Sequence, residues 1–529
     1  MIHRNLNFKT FITPHVTYLF LVMAGAFLMQ SCKKKIETTE KGVSVISLDS
    51  IQIDPFLKTY SELQEYEVKY DEIYAYYDYH YIWFHENGLM DYGNSLYQRV
   101  KDLEEDGIYA DFPYQQDVDS IVALKIKNPE AHPEAELLMT GLYLFYLNNV
   151  YKGIDPQTSK NLGWLLLRKD IDDTLLLDAF IADEEKEEDS LMFRHYYTLK
   201  ETLKKYRAIQ ELGGWSKIPI EDNFKGLKLN DTSMIIPQIR ERLTYTEELS
   251  NNNKSNIYDK ELLEGILKFQ KKHGFNQDTL ISKDHIMALN MPVEAYIKKL
   301  VVNMERCRWI PPGITNSDEF IFVNIPSYDL KYYRDGEIEL ESSVVVGKEM
   351  TKTVIFDGKM TYLAFSPYWN IPQSIIKNEI IPGMERDENY LRDRNMEWND
   401  GQVRQLPGGN NSLGLVKFMF PNSNNIYLHD TPAKSLFKDE DRARSHGCIR
   451  VAKARELAIS ILQDDENWNE QKIDAAMHAG KETTYTLDRE IPVYIGYFTA
   501  WVDTDGTVNF YKDVYKRDDR LADILLFRE

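Results

Sequence analysis

The sequence predicts a multidomain α+β protein, with a mostly helical N-terminal scaffold over residues 51–225 and a small three-helix domain over residues 232–292. A β-rich domain over residues 300–480 follows, carrying an insertion at residues 374–409. Three observations point there. At 529 residues the chain exceeds what one ordinary core can organise. Apolar residues recur at three- and four-residue steps as far as about residue 220, the period of a helix that buries one face. Beyond Trp309-Ile310-Pro311-Pro312 the texture changes to short β-branched and aromatic runs bounded by Pro, Gly and charge, which read as strands.

The first 31 residues form an address and not a fold element. His3, Arg4 and Lys9 make a positive start, Val16 to Met29 is an apolar stretch of about 14 residues, and Leu28-Met29-Gln30-Ser31-Cys32 follows. A membrane-spanning helix needs about 20 residues, more than this stretch offers. It resembles a lipoprotein signal, in which cleavage before Cys32 frees that cysteine for diacylation; an uncleaved anchor and a plain secretory signal are the alternatives. In each case the chain is exported, and acyl chains on Cys32 would hold it to a membrane face without spanning it. Residues 32–50, rich in Thr, Ser, Lys and Glu, read as a tether, with order beginning near Ile51.

Within the scaffold, Glu136 to Leu147 and Tyr197 to Tyr206 carry the helical period. The aromatic run Tyr74 to Phe84 reads as core and groove lining, with sugar stacking as the alternative. Gly213-Gly214-Trp215 and Ile218-Pro219 mark the exit. The next unit places helices at Ile235 to Leu243, at Tyr258 to His273 ending on Gly274, and at Ser282 to Leu289 capped by Asn290. Its Leu263, Ile266, Leu267 and Phe269-Gln270 beside a helix-terminal glycine resemble the small peptidoglycan-binding helical module; a structural spacer is the alternative.

Strands are expected at Phe320 to Pro326, Ser343 to Gly347 and Tyr362 to Phe365. The insertion at 374–409 is rich in Glu, Asp, Asn and Arg and too long for an ordinary loop. Ile491 to Tyr497, Thr499 to Asp503 and Val508 to Phe510 read as a C-terminal β extension over residues 481–529, a hairpin packed on the preceding domain with no chemistry of its own.

The 63 basic and 84 acidic residues leave a net charge of −21, which argues against nucleic acid or an anionic membrane surface as the main partner. Three cysteines, Cys32, Cys307 and Cys448, do not make a disulfide framework. Cys307, inside Met304 to Trp309, reads as a buried apolar residue.

Cys448 has another setting. It lies in Ser445-His446-Gly447-Cys448-Ile449-Arg450, with His429-Asp430 placing an imidazole 19 residues earlier. A thiol attacks as thiolate, so it needs a base or a cation beside it, and histidine suits that task near neutrality. Gly447 leaves room for an acyl donor, and backbone N–H groups in such a turn can hold an oxyanion. The chemistry implied is acyl transfer. A zinc site on His429, His446 and Cys448 lacks a recognisable fourth ligand.

A histidine, a gap, then Ser/Thr-His-Gly-Cys, a hydrophobic residue and Asn or Arg resembles the signature of the L,D-transpeptidase catalytic domain family, whose members remodel bacterial peptidoglycan through a cysteine acyl-enzyme. The likeness extends to Ser366 to Pro372, Asn411 to Gly414 and Lys417-Phe418, found in large periplasmic members with a helical scaffold and a peptidoglycan-binding module. It implies that Cys448 is the nucleophile, His429 the general base, Gly447 the oxyanion-hole turn and Tyr427 part of that hole's lining. By the same resemblance His446 and Arg450 shape the pocket or contact substrate, with Ser445 and Asp430 beside them. The insertion is then a lid, with a solvated surface excursion as the alternative. No metal or organic cofactor is implied.

The implied partners are peptidoglycan stems: a donor tetrapeptide acylates Cys448, and the side-chain amine of an acceptor resolves the thioester into a 3→3 cross-link. Water as acceptor would make a carboxypeptidase, a D-amino acid an exchange enzyme, and a protein lysine a protein-to-wall ligase. A non-catalytic peptidoglycan-binding lipoprotein is the alternative from another class. The implied location is the cell envelope, as a periplasm-facing lipoprotein of the outer membrane.

Overall fold

The computed structural model describes residues 46–526, apart from 125, 127, 183–191, 312–313 and 315–316. Cys32, the leader and most of the tether lie outside the described residues. The described residues begin inside the expected tether, where Ile46 and Leu48 are buried and the Leu48 N–H donates to the Tyr79 carbonyl at 2.8 Å.

The scaffold is built around helix α1, Pro133–Leu147, in which every residue from Ala135 to Leu147 is buried. A helix apolar on all sides belongs in the middle of a bundle. Its Glu136 accepts the backbone N–H groups of Ile82 at 2.6 Å and Trp83 at 3.1 Å, and burial pushes its carboxyl up to about 8. Helix α2, His195–Glu211, packs against α6, Val293–Trp309. On α6, Arg308 donates to the carbonyls of Asp106 at 2.6 Å and Val150 at 2.9 Å and pairs with Glu305 at 3.0 Å. A buried charge survives only with that degree of satisfaction. The expected domain start at residue 300 therefore falls inside a scaffold helix, because α6 buries both its faces and ties the two regions together.

Helices α3 (Ile236–Tyr245), α4 (Lys260–Lys272) and α5 (Lys283–Leu289) form the small domain, with a separate core around Ile239, Leu243, Ile266, Phe269 and Ile286. Asp259 caps α4 by accepting the Leu262 N–H at 3.0 Å, and Gly274, at φ +71°, ends it.

The β-rich domain comprises β1 (Glu319–Asn324), β2 (Asp329–Arg334), β3 (Glu337–Gly347), β4 (Phe356–Phe365), β5 (Val416–Met419), β6 (Leu428–His429), β7 (Ile449–Val451) and β8 (Thr483–Gly496). Their order is β3-β7-β6-β5-β4-β8-β1-β2, and β2 also pairs with β3, so the sheet returns on itself. The pairs β6–β7 and β8–β1 are parallel and the others antiparallel. A short strand, Ala443–Ser445, adds to β3.

One expectation about the C-terminal region is corrected here. β8 is an inner strand, with Val493 opposite Ile321 on β1 and Ile495 opposite Phe356 on β4, so the domain does not end at residue 480. Ile491, Val493 and Ile495 are fully buried at period two, and the strand hydrogen-bonds on both edges. The hairpin Ala500–Val502 and Val508–Phe510 packs between the scaffold and the β-rich domain, where Trp501 meets the His195 ring at 4.1 Å and stacks on Phe322 of β1 at 4.9 Å. A last helix, Asp518–Leu526, pairs Asp518 with Arg306 of α6 at 2.8 Å.

The insertion is a folded unit. Trp369–Asn370, Gln402–Gln405 and Met396–Asn399 form a three-stranded sheet, and a π-helical turn, Ile376–Ile380, leads into helix Ile381–Arg386. Ile371, Ile375, Ile376, Ile380 and Val403 make its own small core.

Candidate active site

Strand register assembles the site. Lys417 on β5 stands opposite His429 on β6, and His429 stands opposite Arg450 on β7. Leu428 and Ile449, the other-face neighbours, are fully buried in the main core. Side chains alternate along strands, so Tyr427 and Cys448 fall two residues back on the same face as His429 and Arg450. The Ile449 N–H donates to the Tyr427 carbonyl at 3.1 Å, which holds the two segments in step at the nucleophile.

The Cys448 thiol donates to the Asn425 carbonyl at 3.6 Å, and the Tyr427 ring stands with its centroid 5.7 Å from that of His429. Burial pushes the thiol up from its ordinary range, while the Tyr427 hydrogen bonds and the charges of Lys417 and Arg450 pull it back. His429 is 4% exposed. Its Nδ1 donates to the Asp430 carbonyl at 2.5 Å, which leaves Nε2 as the acceptor nitrogen. Burial first, and the Arg450 charge second, drive this imidazole down to about 3.

The turn before Cys448 is held from below. Gly447 sits at φ +122°, a conformation that excludes side chains, and Gly347 approaches so closely that a Cβ there would lie 3.1 Å from the Gly447 Cα. The Gly447 N–H donates to Ser445 Oγ at 3.0 Å, and Ser445 Oγ donates to the Cys448 carbonyl at 2.6 Å. Thr353 Oγ1 donates to the Gly447 carbonyl at 2.8 Å and accepts the Gly347 N–H at 2.9 Å. Tyr515, far along the chain, supports this loop by donating its hydroxyl to the Gly347 carbonyl at 2.6 Å.

Two sequence-derived roles, those of Ser445 and Asp430, change accordingly. Gly447 shapes the turn, but its N–H is already committed; among the described residues the N–H of Cys448 itself has no partner and is free to meet an oxyanion. Ser445 is 2% exposed and spends its hydroxyl inside the turn, so it is not a substrate contact. Asp430 accepts the Leu415 N–H at 2.9 Å and the Lys434 ammonium at 2.6 Å and packs against Gly414, so it too holds the fold. His446 turns toward the insertion, where Nε2 meets Glu379 Oε1 at 3.0 Å. Cys307 is fully buried, and burial pushes its thiol up.

Residues the sequence reading gave no role are Lys417, Glu379, Thr353 and Tyr515. A lysine at an alternate position of a short apolar strand was the available signal for Lys417; the others depend on contacts distant in sequence.

The model of the L,D-transpeptidase catalytic domain matches residues 318–473, and that of a scaffold domain matches residues 69–203. A Haemophilus influenzae protein named "Putative L,D-transpeptidase" is 37% identical over 242 residues. That match takes in 42% of this chain and 48% of the relative, so the chain spans about half the relative's length. Among solved structures, an L,D-transpeptidase from Xylanimonas cellulosilytica is 13% identical, covering 52% of this chain and 100% of that one, at a TM-score of 0.18. One from Stackebrandtia nassauensis is 13% identical, covering 51% and 94%, at a TM-score of 0.21. Superpositions that loose carry no argument about chemistry.

Proposed function

Since the chain carries an L,D-transpeptidase catalytic domain at residues 318–473 behind a scaffold domain at residues 69–203, we propose that it forms 3→3 peptidoglycan cross-links through an acyl-enzyme on Cys448. His429 Nε2 takes the thiol proton as the sulfur attacks the carbonyl carbon of the donor stem's third residue. The Cys448 N–H holds the oxyanion. His429 then returns the proton to the departing terminal D-alanine amine. The side-chain amine of an acceptor stem attacks the thioester, forming the new amide and releasing the thiol.

The observation that carries this reading is the strand register that sets Cys448 on the same face as His429, a neutral imidazole whose Nδ1 is tied to the Asp430 carbonyl. In the same reading the insertion shields the thioester from water, the three-helix domain binds peptidoglycan, and diacylation at Cys32 anchors the protein at the periplasmic face of the outer membrane.

Intact-mass spectrometry with purified disaccharide-tetrapeptide tests it. Wild type should gain a thioester and yield dimeric muropeptides, and Cys448→Ala neither. Tripeptide without dimer would make water the acceptor; a protein that binds peptidoglycan with no adduct and no turnover would be a tether.

A further inference from the structure

We infer that Lys417 and Arg450, which flank His429 in the sheet, form a cradle for the free α-carboxylate of a peptide's terminal residue. The register places the three in one row across β5, β6 and β7. The Lys417 ammonium lies 4.0 Å from the Tyr427 ring centroid, on the face of the sheet that carries Cys448. Both cations are partly buried, and both are within electrostatic reach of Cys448.

Among the described residues neither cation has a carboxylate within 4.0 Å, although surface lysines and arginines of this chain are widely paired. Glu482, the one carboxylate that acts on Lys417 at longer range, accepts the Tyr368 N–H at 2.7 Å. The Nε of Arg450 is buried without a hydrogen-bond partner. Desolvated cations left without counter-charge are costly, and a ligand anion would relieve both. In a peptide cleaved one residue from its end, the terminal carboxylate lies no more than about 4 Å from the scissile carbonyl carbon. A cradle beside the sulfur therefore reads that distance and favours donors ending one residue past the acylated carbonyl. The identity of the peptide rests on the proposed transpeptidase reading; the cradle itself does not.

The test is alkylation of Cys448 in the full chain, followed by peptide mass mapping, with iodoacetate and iodoacetamide, which differ in carrying a carboxylate. Lys417→Gln and Arg450→Gln should each lower the ratio of iodoacetate to iodoacetamide rates about tenfold, and Lys417→Arg should retain it. Equal losses with both reagents would mean that the cations only support the thiolate, and an unchanged ratio would remove them from the site; either result overturns the cradle. Wild type supplies a check that needs no variant to fold: N-acetyl-D-alanine should protect Cys448 from iodoacetamide, and its carboxamide should not. Equal protection by the two also overturns the proposal. A shifted ratio in a protein inert toward every peptide donor would retain the cradle and dismiss the transpeptidase reading.

Discussion

His446 Nε2 lies 3.0 Å from Glu379 Oε1, so the residue two before the nucleophile is joined to the insertion that overhangs it. Glu379 belongs to the π-helical turn Ile376–Ile380.

This attachment is weak: the side chains are 43% and 51% exposed, and such pairs contribute up to about 1 kcal/mol. Glu379→Ala should speed hydrogen exchange across residues 376–399 and raise hydrolysis relative to amine transfer severalfold, leaving the thermal midpoint nearly unchanged. Unaltered exchange in that segment would dissociate the pair from closure.

Thr353→Val keeps the shape of the side chain and removes two hydrogen bonds at a fully buried position, to Gly447 and from Gly347. Leaving those groups unsatisfied should cost about 1–3 kcal/mol in urea unfolding and slow Cys448 acylation more than it changes donor KM. An acylation rate equal to wild type would show that the turn holds its form without Thr353.

Stability should fall as pH drops below about 6.5. Burial drives His195 and His429 down to about 3 and His273 well below its ordinary value. The unfolded chain therefore binds more protons than the folded one across that window, so stability is complete above the unfolded value and lost on acidification. Each histidine contributes a slope of up to about 1.4 kcal/mol per pH unit. His195→Phe, beside Phe193 and Trp501, should flatten the urea-midpoint profile between pH 6 and pH 4 by one such contribution.

Alkylation of Cys448 by iodoacetamide should still be rising at pH 9, because burial places the thiol above its ordinary range. No acid limb from His429 is expected above about pH 4, since that imidazole stays neutral to about 3. A thiol already fully reactive at pH 6 would instead indicate a resting ion pair with His429.

Much of the molecule was legible in its residues. The three small helices fall within about two residues of their expected ends, because caps such as Asp259 and Gly274 act locally. The pattern from Ser445 to Arg450 marked its chemistry because a tight turn around a thiol needs a glycine, whatever surrounds it. The end of the β-rich domain was misjudged: Ile491 to Ile495 reads equally as an edge hairpin or an inner strand, and only its partners on both sides distinguish them.

By itself the sequence determined what local physics dictates: helical and strand periods, the cysteine in its glycine turn, the paired histidine and the presence of an insertion. The tertiary structure alone decided which of those side chains face the sulfur. Ser445 and Asp430 are consumed in holding the turn and strand, whereas Lys417 enters the row because β5 pairs with β6 in a register that puts it opposite His429. Hydrogen-bonding capacity belongs to a residue type, but whether it is spent inside the fold or offered to a substrate depends on neighbours distant in the chain, which no local pattern encodes.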